Sequence, residues 1–203
     1  MITALELQSD FENAIRSQDK VAGKVFQTSE MNQFLNQAQT AWLKEKIPLF
    51  DADERNRKIL SGLVRTFSIG GISAQQSDGL YWRLYSLPAD VYAVVMESIK
   101  VSNNTVKVKP ITYDEYLQNI DNTYRRPYDK LAWRLDTQNG HSIISIFAMI
   151  DTYNITYLTK PIEINIESNS EFSFEEEAKK EIVEAAVALA LQALSVEQSS
   201  TKE

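Results

Sequence analysis

The chain has 203 residues, 43% of them apolar and 24% charged, which is enough apolar material to close a core without staples. It has no cysteine and a single histidine, His141, so disulfides, thiolate metal sites, thiol nucleophiles and His-rich metal centres are all excluded. A formal net charge of −7 and a pI near 4.9 argue against a general nucleic-acid coat, and the lack of cysteine fits a reducing compartment or a particle assembled in one.

The N-terminus, MITALELQSD, has no basic region followed by an apolar run, so no secretory signal is expected. Helical spacing then predicts three helices in the first third. Thr3 and Glu6 form a candidate capping box before a stripe of Leu7, Phe11, Ala14 and Ile15. A loop with Gly23 separates this from a second helix, which starts after Thr28 or Ser29. Its stripe is Met31, Phe34, Leu35, Ala38 and Trp42, and Pro48 ends it. Asp51 with Glu54 forms a second candidate box, leading to the stripe Ile59, Leu60, Leu63, Val64 and Phe67.

Residues 68–79, SIGGISAQQSDG, are polar and glycine-rich and are expected to form a mobile loop. The period then changes to two. Strands are expected at 80–87, closed by Pro88, at 91–101, and at 105–110 after a turn at Asn103-Asn104. Thr112 and Glu115 cap a short helix that reaches about Ile120. Three further strands follow, at 131–136, 142–150 and 153–159, with the hairpin dipeptide Asn139-Gly140 between the first two. SIISIFAMI is apolar on both faces, which predicts an interior strand. Ser173 and Glu176 form the last candidate box, opening a helix to about Val196. That helix is apolar nearly all round, so Ala188 and Leu189 are expected to be buried. Its apolar run AAVALAL, 185–191, is far too short to cross a bilayer.

These elements predict an α+β fold. Residues 1–67 and 172–196 would form a helical bundle of three N-terminal helices and the long C-terminal one. An antiparallel β-rich insertion with one short helix would occupy 80–164, and 197–203 would be a frayed tail.

Chemistry is sparsely signalled. His141 follows a predicted turn, so it is expected to be exposed and without an orienting partner. Asp114 and Glu115 are adjacent on a helix and point apart. Gly70-Gly71 lacks the context of a phosphate loop, and the acidic stretch Glu171–Glu177 reads as a charged helix start rather than a metal site. The aromatic strand YWRLY, 81–85, can stack a ligand or fill a core. No catalytic, metal or cofactor residue is assigned, and no cofactor is expected.

The segment 122–136, NTYRRPYDKLAWRLD, is basic and aromatic in an acidic chain. Proline pushes the residue before it toward extended geometry, which predicts that Arg126 is presented rather than packed. YLTKP, 157–161, repeats the pattern of an aromatic strand, a basic residue and a proline. Tyr124, Arg125, Arg126, Pro127, Tyr128, Lys160 and Pro161 are therefore the candidate interface residues, on extended arms that cross to a neighbouring subunit.

A series of motifs in order carries a resemblance over nearly the whole chain: FLNQAQ (34–39), LSGLVR (60–65), LPADVY (87–92), PITYDEY (110–116), NTYRRPYDKLAWRLD, YLTKPIEI (157–164) and EEAKKEIVEAAVALALQAL (176–194). It resembles the neck ring and head-to-tail connector proteins, or tail adaptors, of crAss-like short-tailed phages. One departure is Asn122-Thr123-Tyr124, where that family often has Asn-Pro-aromatic. The resemblance implies a non-enzymatic virion protein, assembled in the host cytoplasm. It would form a homo-oligomeric ring of dodecameric symmetry between the portal and neighbouring ring or tail proteins. Genomic DNA would pass through the lumen without sequence-specific binding, and no membrane is involved. Two other readings stay open: a non-viral protein–protein adaptor, and an enzyme with an aromatic pocket near His141.

Overall fold

A computed structural model describes residues 2–18, 25–70, 72–138 and 140–200, with side chains through Val196. Gly23, Gly71 and Asn139 lie outside the described residues, as do 201–203 of the expected tail. The chain divides into two compact units, 1–63 with 161–203, and 64–160. The first holds the helices α1 (Ala4–Arg16), α2 (Thr28–Lys46), α3 (Glu54–Ile59) and α5 (Glu176–Ser200). The second holds the strands β1 (Val64–Gly70), β2 (Gln75–Ser77), β3 (Leu80–Tyr85), β4 (Val91–Val101), β5 (Asn104–Pro110), β6 (Leu131–Thr137), β7 (Gly140–Ser145) and β8 (Thr152–Thr159), together with α4 (Tyr113–Asn119).

In the helical unit α1 and α2 both pack on α5. The buried residues of α1 are Ala4, Leu7, Phe11 and Ile15, one face at helical spacing, and the Glu6 carboxylate accepts the Thr3 N–H at 3.2 Å. α2 buries Met31, Leu35, Ala38, Trp42 and Leu43. Its cap is Gln27, whose N–H is accepted by Glu30 at 2.7 Å. The Asn and Gln residues on α2 do a second job. Residues 161–167 run along the helix as a strap whose backbone is held by side chains. Asn36 donates to Ile164 O at 2.8 Å and accepts the Ile164 N–H at 2.9 Å, Asn32 accepts from Ile166 N at 3.0 Å, and Gln39 donates to Ile162 O at 3.2 Å. Four helical residues rise about 6 Å and two extended residues about 6.6 Å, so the two periods match over this length. Ile164 and Ile166 are buried beneath.

Five expectations for this unit need correction. The third helix stops at Ile59, passes through a short 3-10 turn at Ser61–Leu63, and gives way to β1 at Val64. The apolar spacing of Leu60 and Leu63 is compatible with a helix, but Val64, Thr66 and Ile69 are β-branched and pair with β8. α3 is capped by Asp53, which accepts the Arg55 N–H at 2.9 Å, rather than by Asp51. Ser173 does not cap α5; its hydroxyl accepts the Ile162 N–H at 3.0 Å and so ties the strap. Ala188 is exposed and Leu189 half-buried. The buried row of α5 is Ala178, Ile182, Val183, Ala186, Val187, Ala190 and Leu194, and Ala188 sits on the solvent row between Glu184 and Gln192. The helical backbone continues to Ser200, past the boundary expected at 196.

The second unit is one eight-stranded sheet in the order β1-β8-β4-β5-β6-β7-β3-β2. Every pair is antiparallel except β5–β6, which are parallel and joined by a crossover containing α4. The sheet therefore departs from the all-antiparallel expectation at one place. Half of the expected mobile loop 68–79 is strand: its first part completes β1, and Gln75–Ser77 pairs with β3 across a turn where Asp78 (φ 54°) and Gly79 (φ 74°) are left-handed. The β4–β5 turn falls at Ser102-Asn103, with Ser102 at φ 53°, one residue earlier than expected. β7 ends at Ser145 rather than at 150, and it is interior, between β6 and β3.

The two sheet faces carry separate cores. Ile143 belongs to one, with Tyr85, Ile99, Val106, Val108, Ala132, Tyr153, Ile155 and Tyr157. Its neighbour Ile144 belongs to the other, with Leu80, Trp133 and Leu135, against which α4 packs Tyr116 and Ile120. This is why SIIS reads as apolar on both faces. The sheet must also curl. β1 and β2 stand at opposite ends of the strand order, yet only residues 71–74 join them. Eight strands side by side on a plane would put their ends about 34 Å apart. The five backbone steps from Gly70 to Gln75 span at most about 18 Å.

Candidate functional site

The segment Asn122–Leu131 is a set of tight turns, not the extended arm expected. Asn122 O accepts from Arg125 N at 2.9 Å and from Arg126 N at 3.0 Å, and its side chain accepts the Tyr124 N–H at 3.1 Å. Tyr128 and Leu131 exchange both backbone hydrogen bonds, at 3.0 and 3.1 Å, closing a two-residue turn over Asp129-Lys130. The asparagine side chain supplies the local bond that proline geometry alone does not anticipate. The turns sort the candidate residues. Tyr124 is 96% exposed and Tyr128 49%, while Pro127 is buried. Arg125 is exposed and reaches Asn119 of α4 at 3.5 Å, and Arg126 is half-buried. The outer face of α4 adds Tyr113 and Leu117, 60% and 68% exposed. Arg125 thus links the turns to the end of α4, and the exposed tyrosines, leucine and arginine all lie within residues 113–128. Lys160 and Pro161 are not part of it. Lys160 is exposed and donates its N–H to Asp90 O at 2.9 Å, and Lys160–Pro161 is where the chain leaves one unit for the other.

His141 is not an exposed turn residue. Gly140 already opens β7 (φ 142°), and His141 sits in that strand opposite Tyr85 and Asp136, 5% exposed. A Cβ at Gly140 would lie 2.0 Å from Tyr85 O, so only glycine admits this close approach of the strands. The imidazole belongs to a polar network on the same face as Ile143. Tyr153 donates its hydroxyl to Glu97 at 2.7 Å, and His141 Nδ1 lies 2.7 Å from that hydroxyl. Arg134 donates to Glu97 at 2.8 Å and lies 3.0 Å from Asp136, whose carboxylate is 3.4 Å from His141 Nε2. The imidazole is therefore held from both sides, by the Tyr153 hydroxyl at Nδ1 and by the Asp136 carboxylate at Nε2.

Burial dominates the electrostatics. It lowers the His141 pKa to about 4, helped by the Arg134 charge and opposed by Asp136. It raises Glu97 above the usual carboxylate range despite Arg134 and the Tyr153 hydrogen bond, and it raises Tyr153, reinforced by Glu97. A cleft of about 510 Å³, lined by Leu87, Pro88, Tyr92, Arg134, Asp136 and His141 among others, opens beside the network. It is the concave site near His141 that an enzyme would need. Of the described lining residues, the imidazole is held between Tyr153 and Asp136, and the Thr137 hydroxyl donates to Gly140 O at 2.9 Å. The sequence signal for the network is an opposite-charge pair, Glu97 following the apolar run VYAVVM and Arg134 set between Trp133 and Leu135.

The other chemical candidates resolve into structure. Glu115 caps α4, bonded reciprocally with Thr112 at 2.9 and 3.1 Å. Gly70 ends a strand. Glu177 pairs with Arg55, and Glu176 with Lys179 at 2.7 Å. In YWRLY, Trp82 stacks edge-on against Tyr116 at 5.2 Å and Tyr85 is fully buried. Among the described residues no cluster of three or more His, Asp or Glu side chains is placed to hold a metal, and no helix is long and apolar enough to cross a membrane.

Comparison with known proteins adds two findings. A family model described as phage tail ring protein 3/4 matches residues 2–203. Ring protein 4/5 of Bacteroides phage crAss001 is 28% identical over 87 residues, covering 40% of this chain and 37% of that relative's length.

Proposed function

The chain belongs to the phage tail ring protein 3/4 family and is a structural ring component of a phage virion; from that premise we propose that it forms a homo-oligomeric ring in the neck between portal and tail. The ring surrounds a DNA channel and has the portal's twelvefold symmetry. The observation that carries this reading is the family match from residue 2 to 203, which leaves no part of the chain outside the resemblance. Each copy then presents one surface forward and a different one back.

The surface around α4 suits such a contact. Tyr124, Arg125 and Tyr128 project from turns braced by backbone hydrogen bonds, so little ordering entropy opposes docking. Arg126 and Pro127 support them from beneath, and Lys160 and Pro161 form a second candidate contact. Basic and aromatic groups on a chain of net charge −7 favour the acidic surface of a neighbouring copy or ring. The acidic balance also fits a lumen that lets DNA slide, since few cationic contacts would hold the phosphates.

The protein carries no enzymatic role in this reading, because the one histidine is buried and held between Tyr153 and Asp136. Electron microscopy of tails labelled on this chain tests the proposal. A twelve-membered ring directly below the portal is expected. A ring elsewhere in the tail, or one of different symmetry, overturns the neck assignment.

A further inference from the structure

The two ends of the curled sheet are both open among the described residues. β1 pairs only with β8, and β2 only with β3. The four-residue link between them keeps these free edges within about 18 Å at one end, less than four strand spacings. They bound a slot in the curled sheet. Thr66, Phe67, Ser68 and Gly70 of β1 and all of β2 are exposed. The slot adjoins the core that holds Ile143: Ile69 packs against that core, and Phe67, two residues away on the same face, is left 40% exposed, as is Ile72 in the link.

Natural sheets protect free edges with lysine, proline, bulges or inward charge. Between Thr66 and Gly70 none of these occurs, and the register with β8 runs without a bulge. An unprotected edge is a template for another chain's backbone. Charge points to the occupant. Residues 64–77 contain Arg65 and no acidic residue, in a chain with 28 acidic and 21 basic residues. A strip free of negative charge is where a second copy of so acidic a chain can approach without repulsion.

We propose that the slot between β1 and β2 takes an extended segment of about four or five residues from a neighbouring copy, completing the sheet wall by strand addition. The inference rests on the ring reading above: each copy receives a strand from one neighbour and gives one to the other. The inserted strand turns apolar side chains toward Phe67 and Ile69 and pairs with the backbone on both sides.

Hydrogen exchange on the unmodified protein tests this, comparing the free chain with rings of this chain alone and with intact tails. Alternate amides of 66–70 and of 75–77 are expected to slow by about tenfold or more in the ring of this chain alone. A ring that forms while these amides exchange as in the free chain overturns the strand insertion and leaves the ring reading intact. Protection that appears only when other tail proteins are present assigns the slot to a different chain and overturns the second-copy proposal. Tails without a ring of this chain overturn both readings.

Discussion

At the scale of single residues, His141 shows how far register can move a side chain from its sequence context. The Asn-Gly dipeptide before it signals a turn, but Gly140 is already paired, and the next residue is buried on the face that holds Ile143. The consequence is a pH dependence. The unfolded histidine titrates near 6.5 and the folded one near 4, so its stabilising contribution is complete above pH 6.5. It is lost as pH falls from 6.5 to about 4, with a slope of up to about 1.4 kcal/mol per pH unit. Glu97, whose folded pKa is raised, acts in the opposite sense: its contribution is present below the usual carboxylate range and lost as pH rises through the folded value. Wild-type stability should therefore decline on acidification through this window more gently than one proton implies. His141→Gln should lose the histidine's part of that slope, and denaturant melts of both proteins at pH 7, 6, 5 and 4 report the difference. At pH 7 the same change should cost about 1–3 kcal/mol, because the Tyr153 hydroxyl loses its buried imidazole partner. An unchanged melt at pH 7 together with an unchanged acid slope would mean that the imidazole is solvated.

At the scale of elements, the readable ones carry their own period. α1 and α2 show their apolar stripes, and β3 through β8 show alternation or two-sided burial, because local pattern and tertiary packing agree there. Where they disagree, the sequence misleads. Leu60, Leu63, Val64 and Phe67 have helical spacing, yet pairing with β8 makes a strand of the second half. α5 reads as apolar all round because alanine fills its exposed row as well as its buried one. Glu184 and Gln192, four residues either side of Ala188, are the signal that marks that row. Ala188→Asp should therefore change stability by no more than about 0.5 kcal/mol, whereas Ala186→Asp buries an unpaired charge and should cost about 3 kcal/mol or more. Equal effects in thermal melts would place the wrong face of α5 inward. The strap was illegible for a different reason. Its partners are polar side chains 123–134 residues away in sequence, and no period connects Asn32, Asn36 and Gln39 to the backbone of Ile162–Ile166. Asn36→Ala removes both bonds to Ile164 and leaves a backbone donor and acceptor unmet. A loss of about 2–4 kcal/mol is expected, with faster amide exchange confined at first to 162–166. Uniform exchange along the chain would instead show that the strap has no stability of its own.

At the scale of the whole molecule, two chain crossings, at 63–64 and 160–161, divide the sequence into units whose boundaries lie close to changes of period. The candidate contact was half legible. Its residue types, arginine and tyrosine in an acidic chain, were visible; its turns were not, since one is made by Asn122 accepting three backbone N–H groups and the other by Tyr128 and Leu131 pairing across Asp129-Lys130. The turns change which substitution makes a clean test. Arg126 is half-buried and Pro127 buried, so changing them confounds folding with assembly. Tyr124 and Arg125 are exposed, and the Arg125 bond to Asn119 is long at 3.5 Å. The double variant Tyr124→Ala, Arg125→Ala should melt within about 0.5 kcal/mol of wild type, as surface changes do. If this surface meets a neighbour, an aromatic and an arginine anchor at its centre are worth about 2 kcal/mol or more together, roughly a thirtyfold loss of affinity per contact. In a closed ring every subunit carries that loss at each of its junctions. Incorporation into tails should then collapse rather than weaken in proportion, and infections complemented with the variant should yield heads lacking tails. A stable variant that incorporates normally would show that these side chains face solvent in the virion. A variant that melts early would show that they brace α4 within the subunit.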